Sequence, residues 1–252
     1  MEEKRKKTIR LKIKRQINSK SLPYWEEFEI PYRKNMNIIS ALMEIQKNPV
    51  NVKGEKVSSV VWEYNCLEEV CGACSMVING KVRQACSALV DHLKHPIILE
   101  PMSTFPVERD LVVNREKMFE ALKKIKGWIP IDGTYALDAG PNIMQEDQQE
   151  AYKYSTCMTC GCCLEACPNV NRKSPFIGPQ AMGQTKYFNM HPIGKTKKEE
   201  RLQIVVSKEG ISNCGNAQNC VQVCPKEIPL TTAIAELNAE ANRFFWKLWF
   251  KN

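Results

Sequence analysis

Four cysteines in the first half of the chain have the spacing of a ligand set for an iron–sulfur cluster. Cys66, Cys71 and Cys74 follow the pattern C-x4-C-x2-C, and Cys86 comes after eleven intervening residues. This graded spacing is typical of a [2Fe–2S] cluster, because a loop of this length can wrap the cluster and aim its N–H groups at the sulfides. The alternative is a zinc knuckle, which usually uses two C-x2–4-C pairs.

A second run of cysteines lies in the other half of the chain and ends in Cys-Pro. It follows the pattern C-x2-C-x2-C-x3-C-P, with the residues Cys157, Cys160, Cys163, Cys167 and Pro168. In proteins with two such runs, the fourth cysteine of one run ligates the other cluster. The pattern therefore predicts both a [4Fe–4S] cluster and a partner run.

The partner run contains Cys214, Cys220 and Cys224, followed by Pro225. On the same template, Ala217 stands where the middle cysteine is expected. Three thiolates can hold three irons, so the fourth corner has no ligand and we predict a [3Fe–4S] cluster. Crossover between the runs then assigns Cys157, Cys160, Cys163 and Cys224 to the [4Fe–4S] cluster. It assigns Cys167, Cys214 and Cys220 to the [3Fe–4S] cluster.

Eleven of the twelve cysteines are used in these assignments, and Cys162 is left over. We interpret Cys162 as a buried thiol, although an exchange of roles with Cys163 is an alternative that would break the C-x2-C spacing. The histidines are interpreted as structural because the thiolate sets are complete; they are His92, His95 and His191. The sequence contains no phosphate-binding glycine motif and no Ser/His/Asp order. It therefore predicts electron transfer and no catalytic residue.

The elements that must position the first cysteine set have clear sequence signals. Apolar and basic residues alternate from Thr8, which predicts a strand, and 27–32 resembles its partner strand. Asn37 is a predicted helix cap before apolar residues at three- and four-residue spacing. Asn79-Gly80 predicts a two-residue hairpin between strands at 75–78 and 81–84, which brings Cys74 and Cys86 together. A strand at 96–101 completes this unit.

The pattern changes near residues 106–115, where we place the domain junction. A length of 252 residues suits two domains of roughly 100 to 200 residues each. We expect a strand-rich [2Fe–2S] domain over 1–110 and a helical domain with two clusters over 111–252. Helical periodicity is found in the segment from Met118 to Ile125, and helix-like stretches lie at 147–156 and 230–242. The predicted fold class is α+β.

Charge and composition exclude some classes of protein. Apolar stretches are too short to span a membrane. The charged start is unlike a secretory signal, so we expect no export by the usual route. Without export, metal binding explains the twelve cysteines better than disulfides do. The net charge of +8 comes mostly from a basic run within residues 1–17: Lys4, Arg5, Lys6, Lys7, Arg10, Lys12, Lys14 and Arg15. Such runs are usually solvated, so we expect no nucleic-acid partner. An acidic partner protein or a lipid headgroup is an equally supported alternative for the basic run.

The three cysteine sets in this order, with PVERDLVVN (106–114) and CPKEIPLTTAI (224–234), resemble the iron–sulfur subunits of succinate dehydrogenases and fumarate reductases. The resemblance covers nearly the whole chain. It implies an N-terminal β-grasp domain of the plant-type ferredoxin kind and an all-α domain like bacterial ferredoxins. It also implies an FAD-containing flavoprotein that oxidises succinate, a quinone-binding membrane anchor, and electron flow from flavin through [2Fe–2S], [4Fe–4S] and [3Fe–4S] clusters to quinone.

Two positions depart from the ubiquinone-reducing members of this family. Those members have a tryptophan shortly after the first Cys-Pro and a histidine after the first cysteine of the second run. Here these places hold Asn171-Arg172 and Gly215. The chain is more similar to menaquinone-linked members of Gram-positive bacteria, which implies a dihaem cytochrome b anchor and a peripheral position on the cytoplasmic face of the plasma membrane.

Several alternatives stay open at this stage. The same machinery could run as succinate dehydrogenase or, in reverse, as fumarate reductase. A diffusing polyferredoxin is expected to be small and acidic, unlike this basic chain, and a zinc-binding scaffold would contain no iron. The C-terminal segment 242–252 has five aromatic residues with Arg243, Lys247 and Lys251. It suits either a membrane interface or a helix packed on its own domain.

Overall fold

The computed structural model describes residues 8–130, 141–171 and 173–249. The chain divides into two compact units. The first comprises the residues up to Arg115 together with Met158–Cys162, and the second comprises Glu116–Cys157 and the residues from Cys163 onward. The segment Met158–Cys162 therefore belongs to the unit that contains the first cysteine set, although it lies within the second cysteine run.

The first unit is built on a mixed five-stranded sheet. Its strands are β1 (Thr8–Arg15), β2 (Tyr24–Pro31), β3 (Ser75–Ile78), β4 (Lys81–Gln84) and β5 (Ile97–Glu100). The strand order is β2-β1-β5-β3-β4, with β1 parallel to β5 and the other neighbours antiparallel. The predicted strands are confirmed, except that β2 begins at Tyr24 rather than at residue 27.

One helix, α1 (Ile38–Lys47), contributes its apolar face to the core of this unit. Asn37 caps it as predicted, because its side chain accepts a hydrogen bond from the Ser40 N–H at 2.8 Å. The buried alternation of Ile9, Leu11 and Ile13 supplies the sheet's side of the same core. The predicted hairpin is also confirmed, since Asn79 and Gly80 both have positive φ, 49° and 77°.

The basic face of β1 is largely compensated by β2. Arg10 lies opposite Glu29 and pairs with it at 3.4 Å, and Lys12 lies opposite Glu27. Arg15 is not part of a solvated face: it is 1% exposed and pairs with Glu26 at 2.5 Å and with Asp110 at 2.9 Å. Lys4, Arg5, Lys6 and Lys7 lie outside the described residues. The described part of the basic run therefore stabilises the sheet.

A short hairpin of β6 (Val107–Arg109) and β7 (Val112–Val113) ends the first unit. Its turn residue Asp110 is buried and accepts hydrogen bonds from the Arg15 side chain and from the Gln16 and Val61 N–H groups. A buried carboxylate needs such partners. Asp110 thereby fixes the segment that leads to Arg115.

The second unit is helical. Its helices are α2 (Glu116–Lys124), α3 (Gln145–Ser155), α4 (Cys162–Glu165, of which the first residue belongs to the other unit), α5 (Pro179–Met190), α6 (Lys198–Val206), α7 (Asn219–Gln222) and α8 (Leu230–Trp249). No strand occurs in its described residues. The α+β class is confirmed, and α8 extends further than the predicted 230–242. Within the ranges the structure describes, no helix is long and apolar enough to cross a membrane.

A buried arginine joins several parts of the second unit. Arg201 in α6 is fully buried, and its guanidinium donates to the carbonyl oxygens of Ile125, Lys126, Trp128 and Gly194 and to the Asn189 side chain. Ile125, Lys126 and Trp128 follow α2, Asn189 lies in α5, and Gly194 begins the turn before α6. Arg201 therefore replaces the regular hydrogen bonding that these loops lack.

Candidate iron–sulfur sites

The loop that carries the first cysteine set directs backbone N–H groups at a cysteine sulfur. The N–H groups of Glu68, Val70 and Cys71 lie 3.3–3.4 Å from the Cys66 Sγ atom. They lower the pKa of the Cys66 thiol to about 7, because hydrogen bonds to the anionic sulfur favour its charged form. A cluster ligand must be a thiolate, so this cradle fits an iron–sulfur cluster.

Backbone conformation explains how one short loop can present so many donors. Leu67, Glu69 and Gly72 have positive φ angles of 64°, 56° and 73°. Alternation of right- and left-handed residues turns successive N–H groups toward one side of the chain and makes a concave anion site. The loop is thus shaped for negatively charged sulfur.

The other two cysteines of this set come from the ends of the β3–β4 hairpin. Cys74 and Cys86 are both buried, and the Ala85 N–H donates to the Cys74 carbonyl at 3.1 Å. Burial raises the pKa of Cys74 to about 12, with the nearby Cys86 as a further cause. Bound metal deprotonates a coordinating thiol outright, so these residues suit a site where iron takes the place of the proton.

A single metal ion sets a different geometric demand from a cluster. In the parts of the chain that the structure describes, no three Cys, His, Asp or Glu side chains are grouped to hold one ion. In a cluster, inorganic sulfides occupy the space between the irons, so each iron needs only its own thiolates. The feature of these sites that can fit a cluster is therefore the shape of their loops.

The two later cysteine runs repeat the same backbone conformation 57 residues apart. Thr159 and Gly161 have φ angles of 52° and 85° and flank Cys160, whereas Asn216 and Gln218 have φ angles of 53° and 62° and flank Ala217. The short helices α4 and α7 begin at the same offset after Cys160 and Ala217. Ala217 therefore occupies the backbone position of a cysteine that ligates iron in the template.

Three cysteines of the second unit line one cavity together with Ala217. They are Cys167, Cys214 and Cys220, the set assigned to the [3Fe–4S] cluster. Burial raises the pKa of Cys167 and of Cys220, and the nearby Cys214 thiol contributes to both shifts. The Asn219 side chain donates to the Ala166 carbonyl at 2.9 Å and so holds the two runs together. The lining of this cavity, with three thiols and one alanine, is the donor set predicted for the [3Fe–4S] cluster.

The set assigned to the [4Fe–4S] cluster is divided between the compact units. Cys160 lies in the first unit, whereas Cys157, Cys163 and Cys224 lie in the second. The Cys157 N–H donates to the Tyr154 carbonyl near the end of α3, and the Cys224 N–H donates to the Val221 carbonyl in α7. Cys157 and Cys224 are thus each held just after a helix, and the joint ligation of one cluster by the four cysteines stays a prediction.

Cys162 is buried, as predicted, and it faces a polar network. The Gln84 amide donates to the Cys162 Sγ at 3.4 Å and to the Ser75 hydroxyl at 2.8 Å, and its oxygen lies 3.5 Å from the Cys74 Sγ. Gln84 and Ser75 are not among the residues predicted from the cysteine spacing. A signal was present, because Gln84 is a polar residue at an inward-facing position of β4.

The histidines have structural surroundings or lie exposed. His191 follows α5, and its Nδ1 accepts a hydrogen bond from the Gly194 N–H at 3.3 Å. Burial lowers the pKa of His191. His92 and His95 are exposed. The neutral, hydrogen-bonded His191 fits the structural role expected for it.

Comparison with known proteins places both cysteine regions in described domain families. Residues 10–120 match the model of a 2Fe-2S iron-sulfur cluster binding domain, and residues 153–228 match that of a 4Fe-4S dicluster domain. The first match contains Cys66, Cys71, Cys74 and Cys86. The second contains the two later runs, from which Ala217 removes one of the eight cysteines expected.

Two curated relatives and one solved structure extend over nearly the whole chain. The succinate dehydrogenase iron-sulfur subunit of Bacillus subtilis is 63% identical over 236 residues, covering 94% of this chain and 93% of the relative. The fumarate reductase iron-sulfur subunit of Haemophilus influenzae is 29% identical over 232 residues, covering 87% of each. A chain of the Mycobacterium smegmatis Sdh1 complex in the apo form has a TM-score of 0.80 at 21% identity, covering 93% of this chain and 95% of its own, and shares the fold.

Proposed function

The chain belongs to the family of succinate dehydrogenase iron–sulfur subunits, and from that membership we propose that it carries electrons from a flavoprotein to menaquinone at a membrane anchor. The observation that carries the proposal is the ordered presence of three cysteine sets in loops shaped for anionic sulfur. The 63% identity to a succinate dehydrogenase subunit supports succinate oxidation as the working direction.

We propose three clusters with the ligands assigned by spacing. Cys66, Cys71, Cys74 and Cys86 hold the [2Fe–2S] cluster; Cys157, Cys160, Cys163 and Cys224 hold the [4Fe–4S] cluster; Cys167, Cys214 and Cys220 hold the [3Fe–4S] cluster. When bound, such clusters accept and release one electron at a time. The domains proposed for these sets are 1–110 for the first and 111–252 for the other two.

The chain's own residues prepare these sites for electron transfer. The N–H groups around Cys66 stabilise negative charge on sulfur without moving, because they belong to a fixed loop. Burial of Cys74, Cys86 and Cys220 keeps water away from the ligands. Fixed donors and exclusion of water are two of the properties through which a protein sets cluster potentials.

The partners proposed are an FAD-containing flavoprotein and an integral cytochrome b anchor with two haems. Gly215 lines the cavity of the third cysteine set, together with Asn169, and stands where ubiquinone-linked relatives have histidine. This favours menaquinone as the acceptor, and the resemblance to menaquinone-linked members of Gram-positive bacteria implies a position on the cytoplasmic face of the plasma membrane. At the end of α8, Trp246 and Trp249 are 59% and 66% exposed, which suits contact with an anchor or headgroups.

The test of this function is quinone reduction by the complex purified from its native membranes. With succinate as donor, we expect menaquinone analogues to be reduced faster than ubiquinone analogues, with iron and flavin co-purifying. A complex that reduces ubiquinone much faster would contradict the quinone assignment. A chain that purifies without a flavoprotein would favour the diffusing polyferredoxin.

Reverse operation as a fumarate reductase is the second candidate, because relatives named for that activity cover most of the chain. Comparison of succinate oxidation with fumarate reduction in the same preparation decides the direction. We expect succinate oxidation to be the faster reaction with menaquinone analogues. Faster fumarate reduction by the reduced quinone would assign the opposite role.

A further inference from the structure

We propose that Arg115 is a positioning residue that holds the [2Fe–2S] loop next to Cys160 and, through its charge, raises the reduction potential of the cluster that Cys160 ligates. The proposal rests on the proposed function, since it assumes that the cysteine sets bind their clusters. Arg115 lies at the end of the first unit and belongs to none of the cysteine motifs.

The guanidinium of Arg115 binds the loop between two cluster ligands. Its Nη1 donates to the Gly72 carbonyl at 3.1 Å, and its Nη2 donates to the Ala73 carbonyl at 2.6 Å. Gly72 and Ala73 are the two residues between Cys71 and Cys74. Because one planar group holds both carbonyls, Arg115 fixes the orientation of the peptides that separate these ligands.

The same loop is in close contact with Cys160. A Cβ atom on Gly72 would stand 2.7 Å from the Met158 carbonyl oxygen and 2.9 Å from the Cys160 Cα, which real structures do not allow. Gly72 also has a φ angle of +73°. Glycine is therefore required on two grounds, and the residues that Arg115 holds lie against the backbone of Cys160.

The charge of Arg115 acts in a largely buried place. Its side chain is 14% exposed, and its buried Nε has no hydrogen-bond acceptor among the residues that the structure describes. Its carboxylate partner, Glu63, lies at 3.2 Å and is 45% exposed. A solvated carboxylate compensates only part of a buried charge, because water screens it more effectively.

A positive charge near a cluster favours the reduced state, which carries one more negative charge. The contacts place this charge close to Cys160, because the Gly72 carbonyl that Arg115 binds belongs to a residue packed against the Cys160 backbone. Removal of the charge should therefore make the cluster that Cys160 ligates harder to reduce.

The test is an EPR-monitored redox titration of the intact complex with Arg115→Gln. We expect the [4Fe–4S] cluster of this variant to be harder to reduce by on the order of tenfold, which is about 59 mV for one electron. Glu63→Gln removes the compensating carboxylate and is expected to shift the potential in the opposite direction, by less. Arg115→Lys keeps the charge but not the contact with two carbonyl groups. We therefore expect its [4Fe–4S] reduction potential to stay close to that of the wild type.

Arg33→Gln is the matched control, because it removes the same charge from the same unit at an exposed ion pair with Glu44. Its potentials should equal those of the wild type. An unchanged [4Fe–4S] potential in Arg115→Gln, or shifts of the same sign in Arg115→Gln and Glu63→Gln, would overturn the proposal. If Arg115→Gln does not assemble, the sign of the Glu63→Gln shift decides. Absence of clusters from the wild type would instead overturn the proposed function.

Discussion

Ala217 is the residue on which the predicted type of the third cluster depends. The residues on both sides of Ala217 have left-handed backbone conformations, as do the residues on both sides of Cys160, but Ala217 has no thiol. We predict that Ala217→Cys supplies the missing ligand and raises the iron content from about nine to about ten per chain. The EPR signal of the oxidised [3Fe–4S] cluster should disappear in this variant. Iron and sulfide analysis together with EPR of the oxidised sample measures both changes.

Ala217→Ser is the control for this substitution, since it changes the size of the side chain by a similar amount without adding a thiolate. It should keep about nine irons and the oxidised signal. If Ala217→Cys shows no additional iron and no change of cluster type, the assignment of an open corner is wrong.

Cys162 is the second residue whose role can be isolated. It is fully buried and hydrogen-bonded to Gln84. We predict that Cys162→Ala keeps the full iron content and lowers the free energy of unfolding by about 1 kcal/mol, as buried substitutions commonly do. Cys163→Ala, the matched variant at the adjacent position, should lose the [4Fe–4S] signal. Loss of that signal in Cys162→Ala alone would show that the two cysteines exchange roles.

At the scale of elements, Arg201 stabilises the loops around α2, α5 and α6. Its guanidinium binds four carbonyl groups and one side-chain amide. Arg201→Met leaves these buried acceptors without donors, at a cost of about 1 to 3 kcal/mol for each unsatisfied group. We expect loss of at least about 3 kcal/mol of unfolding free energy, measured by denaturant titration. Arg33→Met, at an exposed arginine, should cost less than about 0.5 kcal/mol; equal losses would contradict this role.

The end of α5 has a predicted pH dependence. Burial lowers the pKa of His191, and its Nδ1 must be unprotonated to accept the Gly194 N–H. A histidine whose pKa is lower in the folded state stabilises the fold above its ordinary value of 6.5, and this contribution is lost as the pH falls. Below that pH, the free energy of unfolding should therefore change with pH at different slopes in the wild type and in His191→Gln. Parallel curves would contradict the prediction.

The five strands of the sheet and helix α1 could be predicted because each has a local cause, whereas the hairpin of β6 and β7 was not predicted. Alternation in β1, the Asn37 cap and the Asn79-Gly80 turn are readable from a few neighbouring residues. Helix α5 could not be found in this way. It is buried on several sides and includes Gln180, Thr185 and Asn189 among its buried residues, so it lacks the polar face that gives a helix its period.

The predicted ligands also follow a local sequence pattern, whereas the residues that support them do not. Cysteine spacing predicts ligands because a cluster imposes fixed intervals on the chain. Gln84 and Arg115 act through contacts with residues 78 and 43 positions away in the chain, which no local pattern encodes. The positive charge of Arg15 was likewise misassigned to a solvated face, because its buried partner Asp110 is distant in sequence.

At the scale of the whole molecule, the central claim is that one chain holds three different clusters and connects a flavoprotein to a quinone. The measurement that tests it most directly is low-temperature EPR of the purified complex, as isolated and after dithionite, with iron, zinc and sulfide analysis. We predict a [3Fe–4S] signal in the oxidised sample, a [2Fe–2S] signal after reduction, and about nine irons per chain. A chain that contains zinc and no iron would contradict the claim.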